Sequence, residues 1–414
     1  MYPNLYFALY DLFGIDLPFL KLINSFGFMV ALAFIAASMV LSRELKRKEN
    51  EGLLQSEKRQ IVVGEPASIS DIIGNSILGF IFGFKFVYLA INSGTIFQGG
   101  GLPQQHIFSA EGSFFWGLIL AAAFGTWRWY EGKKNALPKP ETRTIDFHKY
   151  EYTGAITMYA AFFGILGAKM FHLFENPAEF VAFFKNPTLE GFLGGLTIYG
   201  GLIVGALGVY WYSRKINIPF VHLCDANAPG LMLAYGIGRL GCQISGDGDW
   251  GIPNLNPKPN WLSWLPDWAW AYHYPNNVNG VFGVRPEGYA GKRITESDPW
   301  PIFEGYGTYI DPAVYPTPLY EVIMALTIFA VLWYFRKRIK IPGVLFGLYL
   351  TLNGFERFWI EKIRVNSTYD IFGFAITQAE IISTILFFGG IALMVFLTRR
   401  HKTNGSTSTN ATAQ

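Results

Sequence analysis

Charge is scarce in this chain. Of its 414 residues, 15% are charged and 51% hydrophobic, whereas a soluble globular domain carries about 25% charged residues. That shortage excludes a soluble domain and points to an all-α polytopic membrane protein. The net charge of +3 is too small to imply a nucleic-acid partner. Cysteine is nearly absent: Cys224 and Cys242 fall in one expected helix, about 27 Å apart at its rise per residue, which excludes a disulfide while that helix is unbroken. No basic region precedes the first apolar run, Ile23–Leu41. Arg43, Lys46, Arg47 and Lys48 follow it instead, the reverse of a cleavable signal peptide. The six histidines have no metal-ligand spacing, so neither a metal nor a cofactor is expected.

What is abundant is apolar sequence in span-sized lengths. A crossing takes roughly 20 mostly apolar residues, and nine segments qualify: 22–42, 71–92, 112–130, 152–174, 194–213, 220–241, 318–336, 341–361 and 377–398. The intervening loops alternate in charge. Segment 43–59 is basic, 93–111 has no Lys or Arg, 131–150 is basic again, 175–193 has one Lys, and 214–219, 336–340 and 399–402 are basic. Every odd-numbered span thus ends on a basic loop, which sets the N-terminus outside and the C-terminus in the cytoplasm. The expected organisation is an interfacial segment over 1–21 and a first span with its basic loop over 22–70. A helix pair follows over 71–150, then a core over 151–400 with a non-cytoplasmic head over 242–317, and a disordered tail over 401–414. The head is rich in Trp, Pro and Asn (WLSWLPDWAWAYHYPNN) and is expected to lie against the outer interface, where amphipathic rings sit.

The helix pair over 71–150 has an echo 84 residues on: Gly83/Gly167, Lys85/Lys169, Asn92/Asn176, Gly117/Gly201 and Trp127/Trp211 match. A duplicated pair and chance likeness between glycine-rich helices both fit this pattern.

The costly residues gather at one depth. GRLGCQISGDGDWG (238–251) puts Arg239, Asp247 and Asp249 at the outer end of the sixth span. The eighth ends NGFERFWIEKIRVN, where Arg357, Glu361 and Arg364 stand at i, i+4, i+7 on one helical face. Tyr315, Tyr320 and Glu321 open the seventh span, Tyr199 the fifth, and Lys169 and His172 close the fourth. Structural ion pairs between helices, or arginines reaching outward to lipid phosphates, would explain any one of these. Arginines, a lysine and acids at one level point instead to an anion site, because guanidinium binds phosphate bidentately and stays charged when desolvated. In a membrane that phosphate belongs to a phospholipid headgroup. Asp225 and Asn227, near the inner end of the sixth span, admit either a transport pathway or a structural cap.

At these residues the chain resembles the prolipoprotein diacylglyceryl transferase family. GRLGCQISGDGDWG is similar to its glycine–arginine signature, Tyr199-Gly200-Gly201 to its helix-opening histidine–glycine–glycine motif, Pro316–Glu321 to its proline…leucine-tyrosine-glutamate segment, and GFERFWIEKIR to its late arginine–glutamate helix. The likeness runs in order over roughly 150–400. Three positions depart from it: Cys242 stands where the family has Asn, an extra residue lets Asp247 or Asp249 take the acidic position, and Tyr199 stands for the histidine. The family has seven spans, which leaves spans two and three as additions.

The resemblance implies an enzyme of the bacterial cytoplasmic (inner) membrane, its active site toward the periplasmic leaflet. It would move the diacylglyceryl unit of phosphatidylglycerol to the lipobox cysteine thiol of a preprolipoprotein and release glycerol phosphate. Its partners would be that lipid, the lipobox segment and the bilayer. Expected catalytic residues are Arg239, Arg357, Glu361, Tyr199, Asp247 and Asp249. Arg239 and Arg357 would hold the phosphate, Glu361 would orient Arg357 or bind the glycerol hydroxyls, and Asp247 or Asp249 would organise Arg239. Lys169, Gly200, Gly201, Gly238, Gly241, Gly251, Tyr320 and Arg364 would bind substrate. Tyr199 and His273 are the candidate bases, and glycines over 191–208 and 236–251 would line a lateral opening. Two other accounts stand beside this one: a transporter or lipid scramblase, and an inactive paralogue that binds lipoproteins.

Overall fold

The computed structural model describes residues 1–96, 107, 109–185, 195–286, 288–366, 368–371 and 374–411. Its helices are α1 (Leu5–Phe13), α2 (Ser25–Asn50), α3 (Ile69–Ile91, with a π turn over Phe82–Val87), α4 (Phe114–Asn135), α5 (Thr153–Glu175), α6 (Pro177–Lys185), α7 (Ile198–Lys215), α8 (Phe220–Ser245), α9 (Thr317–Phe335), α10 (Val344–Glu361) and α11 (Gln378–Ala411). Three small antiparallel sheets join them: β1 (Glu57–Val63) with β2 (Glu141–Phe147), β3 (Gly283–Val284), β4 (Ala290–Arg293) and β5 (Thr308–Asp311) in that order, and β6 (Thr368–Ile371) with β7 (Phe374–Thr377).

Among the described residues, each of the nine expected spans coincides with one of these helices. Five helical runs are both long and apolar enough to cross a membrane: Ser25–Asn50, Ile69–Ile91, Lys149–Glu175, Thr317–Phe335 and Gln378–Thr403. The protein is therefore mostly helical and polytopic. The remaining four helices have polar or charged residues that interrupt or shorten their apolar stretch. In α8 these include Asp225, Asn227 and Arg239, and in α10 they include Asn353, Glu356 and Arg357. Of the 401–414 tail expected to be disordered, residues 412–414 lie outside the described residues and 401–411 are helical. α11 continues to Ala411, since extending an existing helix costs far less than nucleating one.

The chain forms two compact units. One comprises Met1–Pro3, Ser25–Lys48 and Tyr210–Gln414, the other Asn4–Asn24 and Glu49–Val209.

In the first unit, α8, α9 and α10 pack through Met232, Ala325, Ile328, Leu332 and Leu345. α8 is continuous from Phe220 to Ser245 despite Pro229 inside it, so Cys224 and Cys242 are both free thiols. Asp225 resolves as a cap. Its two carboxylate oxygens accept from the backbone N–H groups of Gly343 (2.8 Å) and Phe346 (2.9 Å), with Lys48 Nζ 4.0 Å away. Those donors open α10 and have no partner within their own helix; a carboxylate also suits the positive end of its dipole. Replacing Asp225 with alanine is expected to destabilise the protein by about 1–3 kcal/mol, read as a lowered thermal midpoint in detergent. An unchanged midpoint would remove the cap from the account. Thr377 and Glu380 cap α11 in the same spirit, each side chain bonding the other's backbone N–H at 2.9 and 3.1 Å.

The head of this unit has its own core of Trp250, Tyr274, Val281, Tyr289, Ile310 and Val314. Trp261 and Trp264 are exposed at its edge, at 75% and 76%, on a loop pinned to α9: the Tyr320 hydroxyl donates to Ala269 O at 3.0 Å.

In the second unit, β1 pairs with β2 from Glu57↔Phe147 to Val63↔Glu141, bracketing α3 and α4. The two helix pairs of this unit, α3/α4 and α5/α7, carry equivalent contacts at the 84-residue offset. Ser113 N–H donates to Phe84 O at 2.9 Å, and Thr197 N–H to Ala168 O at 3.1 Å. The Asn92 amide donates to Tyr88 O, and the Asn176 amide to His172 O. A Cβ on Gly83 would meet Trp116 O at 2.2 Å, and one on Gly167 would meet Gly200 O at 2.4 Å. Both pairs therefore close on a backbone-to-backbone approach that excludes a side chain.

Candidate active site

The first unit gathers a layer of arginines around one glutamate. α8 contributes Tyr235 and Arg239, four residues apart and so on one face. α9 contributes Glu321 near its first turn, and α10 with the residues just beyond it contributes Arg357, Glu361 and Arg364. Glu321 is fully buried. Its Oε1 accepts from the Tyr235 hydroxyl (2.9 Å), Arg357 Nη1 (3.2 Å) and Arg364 Nη1 (3.1 Å), and its Oε2 lies 3.1 Å from Arg239 Nε. A buried carboxylate is tolerated only with this degree of compensation.

Asp249 is the second hub. Its carboxylate bridges Arg239 Nη1 and Arg364 Nη2, and its backbone carbonyl accepts from the Thr317 hydroxyl at 2.7 Å. Burial alone would raise its pKa, but the guanidiniums of Arg239 and Arg364 outweigh that and hold it below the usual aspartate value. Asp247, two residues earlier, goes the other way: burial first, and then the Asp249 carboxylate, push it up. Gly246 and Gly248, both at positive φ (65° and 100°), make the turn that separates the two acids. Of the alternatives left open by the sequence, Asp249 is the one in contact with Arg239.

Glu361 lies 3.2 Å from Arg357 Nη2 and accepts from the Asn366 amide at 2.6 Å. Three guanidiniums thus face three carboxylates, Asp249, Glu321 and Glu361. The side chains of Asp249 (33% exposed) and Arg357 (25%) form the accessible edge, while Arg239 and Arg364 lie deeper at 12% and 8%. An anion reaching that edge would meet a preorganised set of donors.

The other expected residues divide. Gly251 is needed for close approach, since a Cβ there would lie 2.4 Å from Ile363 O; the residue ties the head to the end of α10. Gly241 packs on Met29, whereas Gly238 faces open space. Tyr320 anchors the head loop. His273 has Nδ1 2.7 Å from Ile310 O and packs near Trp300. Lys169, Tyr199, Gly200 and Gly201 belong to the second unit, where Lys169 is buried, Tyr199 is half-buried, and Gly200 closes the helix pair described above. Of the glycines expected to line a lateral opening, Gly191 and Gly194 fall outside the described residues.

Sequence spacing missed three features. Tyr235 was signalled only by its i, i+4 relation to Arg239. Glu356 is buried on α10 and enters no expected role. Cys242, Asp247 and Asp249 bring ligand-type atoms within 4.8 Å of one another, with Cys242 Sγ 3.4 Å from Asp249 Oδ2. The two guanidiniums already on Asp249 oppose a cation there.

Comparison with known proteins gives the same direction. The family model described as prolipoprotein diacylglyceryl transferase matches residues 107–396. Proteins named phosphatidylglycerol–prolipoprotein diacylglyceryl transferase are similar to the chain. The one from Corynebacterium glutamicum is 30% identical over 244 residues, 58% of this chain and 67% of that one. That from Clostridioides difficile is 32% identical over 212 residues (51% and 64%), and that from Cutibacterium acnes 26% over 257 (61% and 73%). Since the family match takes in well over half of the sequence and every residue of the arginine layer, the chain belongs to the prolipoprotein diacylglyceryl transferase family.

Proposed function

We propose that the protein transfers the diacylglyceryl unit of phosphatidylglycerol to the lipobox cysteine thiol of a preprolipoprotein, forming a thioether and releasing glycerol phosphate. The carrying observation is the layer of Arg239, Arg357 and Arg364 on Glu321 and Asp249, open at the Arg357 edge. The thiol sulfur attacks the glyceryl carbon in line with the departing phosphate oxygen, so negative charge accumulates on that phosphate. Arg357 and Arg239 receive it, Glu361 orients Arg357, Asp249 orients Arg239, and Arg364 steadies both hubs. Positive charge at the same place also eases loss of the acceptor's thiol proton as the sulfur attacks. Tyr199, Lys169, Gly200 and Gly201 take lipid-binding roles by the family pattern, as do Gly238, Gly241, Gly251 and Tyr320.

The topology read with this function has nine spans, N-terminus outside and C-terminus cytoplasmic, in a bacterial cytoplasmic membrane with the arginine layer toward the periplasmic leaflet. A helix at each of the nine positions and the loop-charge alternation support it. The equivalent contacts of α3/α4 and α5/α7 support reading the first pair as a duplicate of the second. The strongest sequence argument for a transport pathway, Asp225, is accounted for by its capping of α10.

The test is a mass-shift assay in proteoliposomes with a lipobox peptide. A cysteine-dependent diacylglyceryl gain is expected with phosphatidylglycerol and not with phosphatidylethanolamine alone. In the same vesicles, protease should reach a C-terminal tag only from the cytoplasmic face. Peptide binding without transfer would favour an inactive paralogue, and a tag cleaved from the opposite face would overturn the topology.

A further inference from the structure

Glu356 stands apart from the charge balance of the arginine layer. It is 2% exposed, and neither carboxylate oxygen has a hydrogen-bond partner among the described residues. It precedes Arg357 on α10 and shares a helical face with Ile360 and Asn353. The charged groups acting on it are Glu321 from α9, Arg239 from α8, and Arg357 and Arg364 from α10 and its end; Tyr235 and Tyr349 face it as well. The three guanidiniums are already matched by Asp249, Glu321 and Glu361, so none of the three is left over for a fourth carboxylate. An uncompensated buried charge is expensive.

We propose that Glu356 is the proton store of this layer: it holds a proton at rest, releases it to the departing phosphate, and recovers one from the acceptor thiol. The inference rests on the transferase reading above. In the step, the C–O bond to phosphate breaks with its electron pair on oxygen, and the sulfur–carbon bond forms. The phosphate changes from a diester monoanion to a monoester that would carry a second negative charge; the Glu356 proton neutralises it. The thiol proton then replaces the one given up, so atoms and charge balance without a further reactant. The neutral arginine layer never has to host more than one unmatched negative charge.

The substitution Glu356→Gln tests this, because glutamine keeps the shape and neutrality of the protonated acid but has no acidic proton to give. Expected is a fall in kcat of about 100-fold or more, little change in KM for phosphatidylglycerol, and loss of one limb of the pH profile. Glu356→Asp, which keeps an acidic proton, should recover part of the rate. Infrared difference spectra of the resting protein should contain a protonated-carboxyl C=O stretch that E356Q removes. Full activity of E356Q with the wild-type pH profile, or an infrared band untouched by the substitution, would overturn the proposal. Absence of transfer by the wild-type protein would sink the transferase reading, while the infrared band would still decide whether Glu356 holds the resting proton.

Discussion

Glu321→Ala is expected to lower the stability of the protein by about 3–5 kcal/mol, the scale on which breaking a buried ion pair from one side destabilises a fold. The reason is the number of groups it strands. Arg239, Arg357 and Arg364 all contact this carboxylate, and the Tyr235 hydroxyl donates to it. Alanine leaves like charges facing one another across a small cavity among α8, α9 and α10. Glu321→Gln keeps the volume and one acceptor, and should fall between alanine and wild type. Thermal unfolding in detergent, followed by tryptophan fluorescence, reads the difference. If Glu321→Ala melts with the wild type, Glu321 does not hold the layer together.

The largest effect on chemistry is expected from Arg239. Removing a donor aimed at developing charge typically costs about 10²–10³ in kcat, and Arg239→Ala should show at least that in the mass-shift assay. Its stability should suffer less than that of the Glu321 variant, because Glu321 keeps Arg357 and Arg364, and Asp249 keeps Arg364. Arg239→Lys is not expected to rescue the rate. Nε and Nη1 of Arg239 reach two different carboxylates, and an ammonium is a single point charge without that fork. Transfer at the wild-type rate by Arg239→Ala would take the phosphate away from this residue.

What the sequence made legible was helix position and face. Apolar run lengths placed the helices, and the 3.6-residue period placed Arg357 and Glu361 together, where they pair. The same period put Arg364 on that face, but α10 ends at Glu361. Beyond the helix Arg364 turns to Asp249 and Glu321 instead. Glu321 itself was visible as one acid among several at the right depth. Its role as hub was not, because its partners lie 36, 43 and 86 positions away along the chain and only tertiary packing brings them to one oxygen. The choice between Asp247 and Asp249 was similarly closed to inspection: two glycines at positive φ fix which acid faces Arg239, and composition does not state a turn's hand. Asp225 illustrates the opposite case. A polar residue in a span suggests a pathway until the orphaned N–H groups of a neighbouring helix are counted.

The ribbon of β1 and β2 has a consequence for how the protein is divided. Val63 and Glu141 are opposed across it, so the chain departs toward α3 and returns from α4 through a gap of about 5 Å, the spacing of paired strand residues. That gap is what a two-residue hairpin turn spans. The helix pair thus leaves and re-enters the chain at one point, with its 88–96 end also in contact with Pro18–Leu22. Removing the segment between the two strands would reroute no other chain connection.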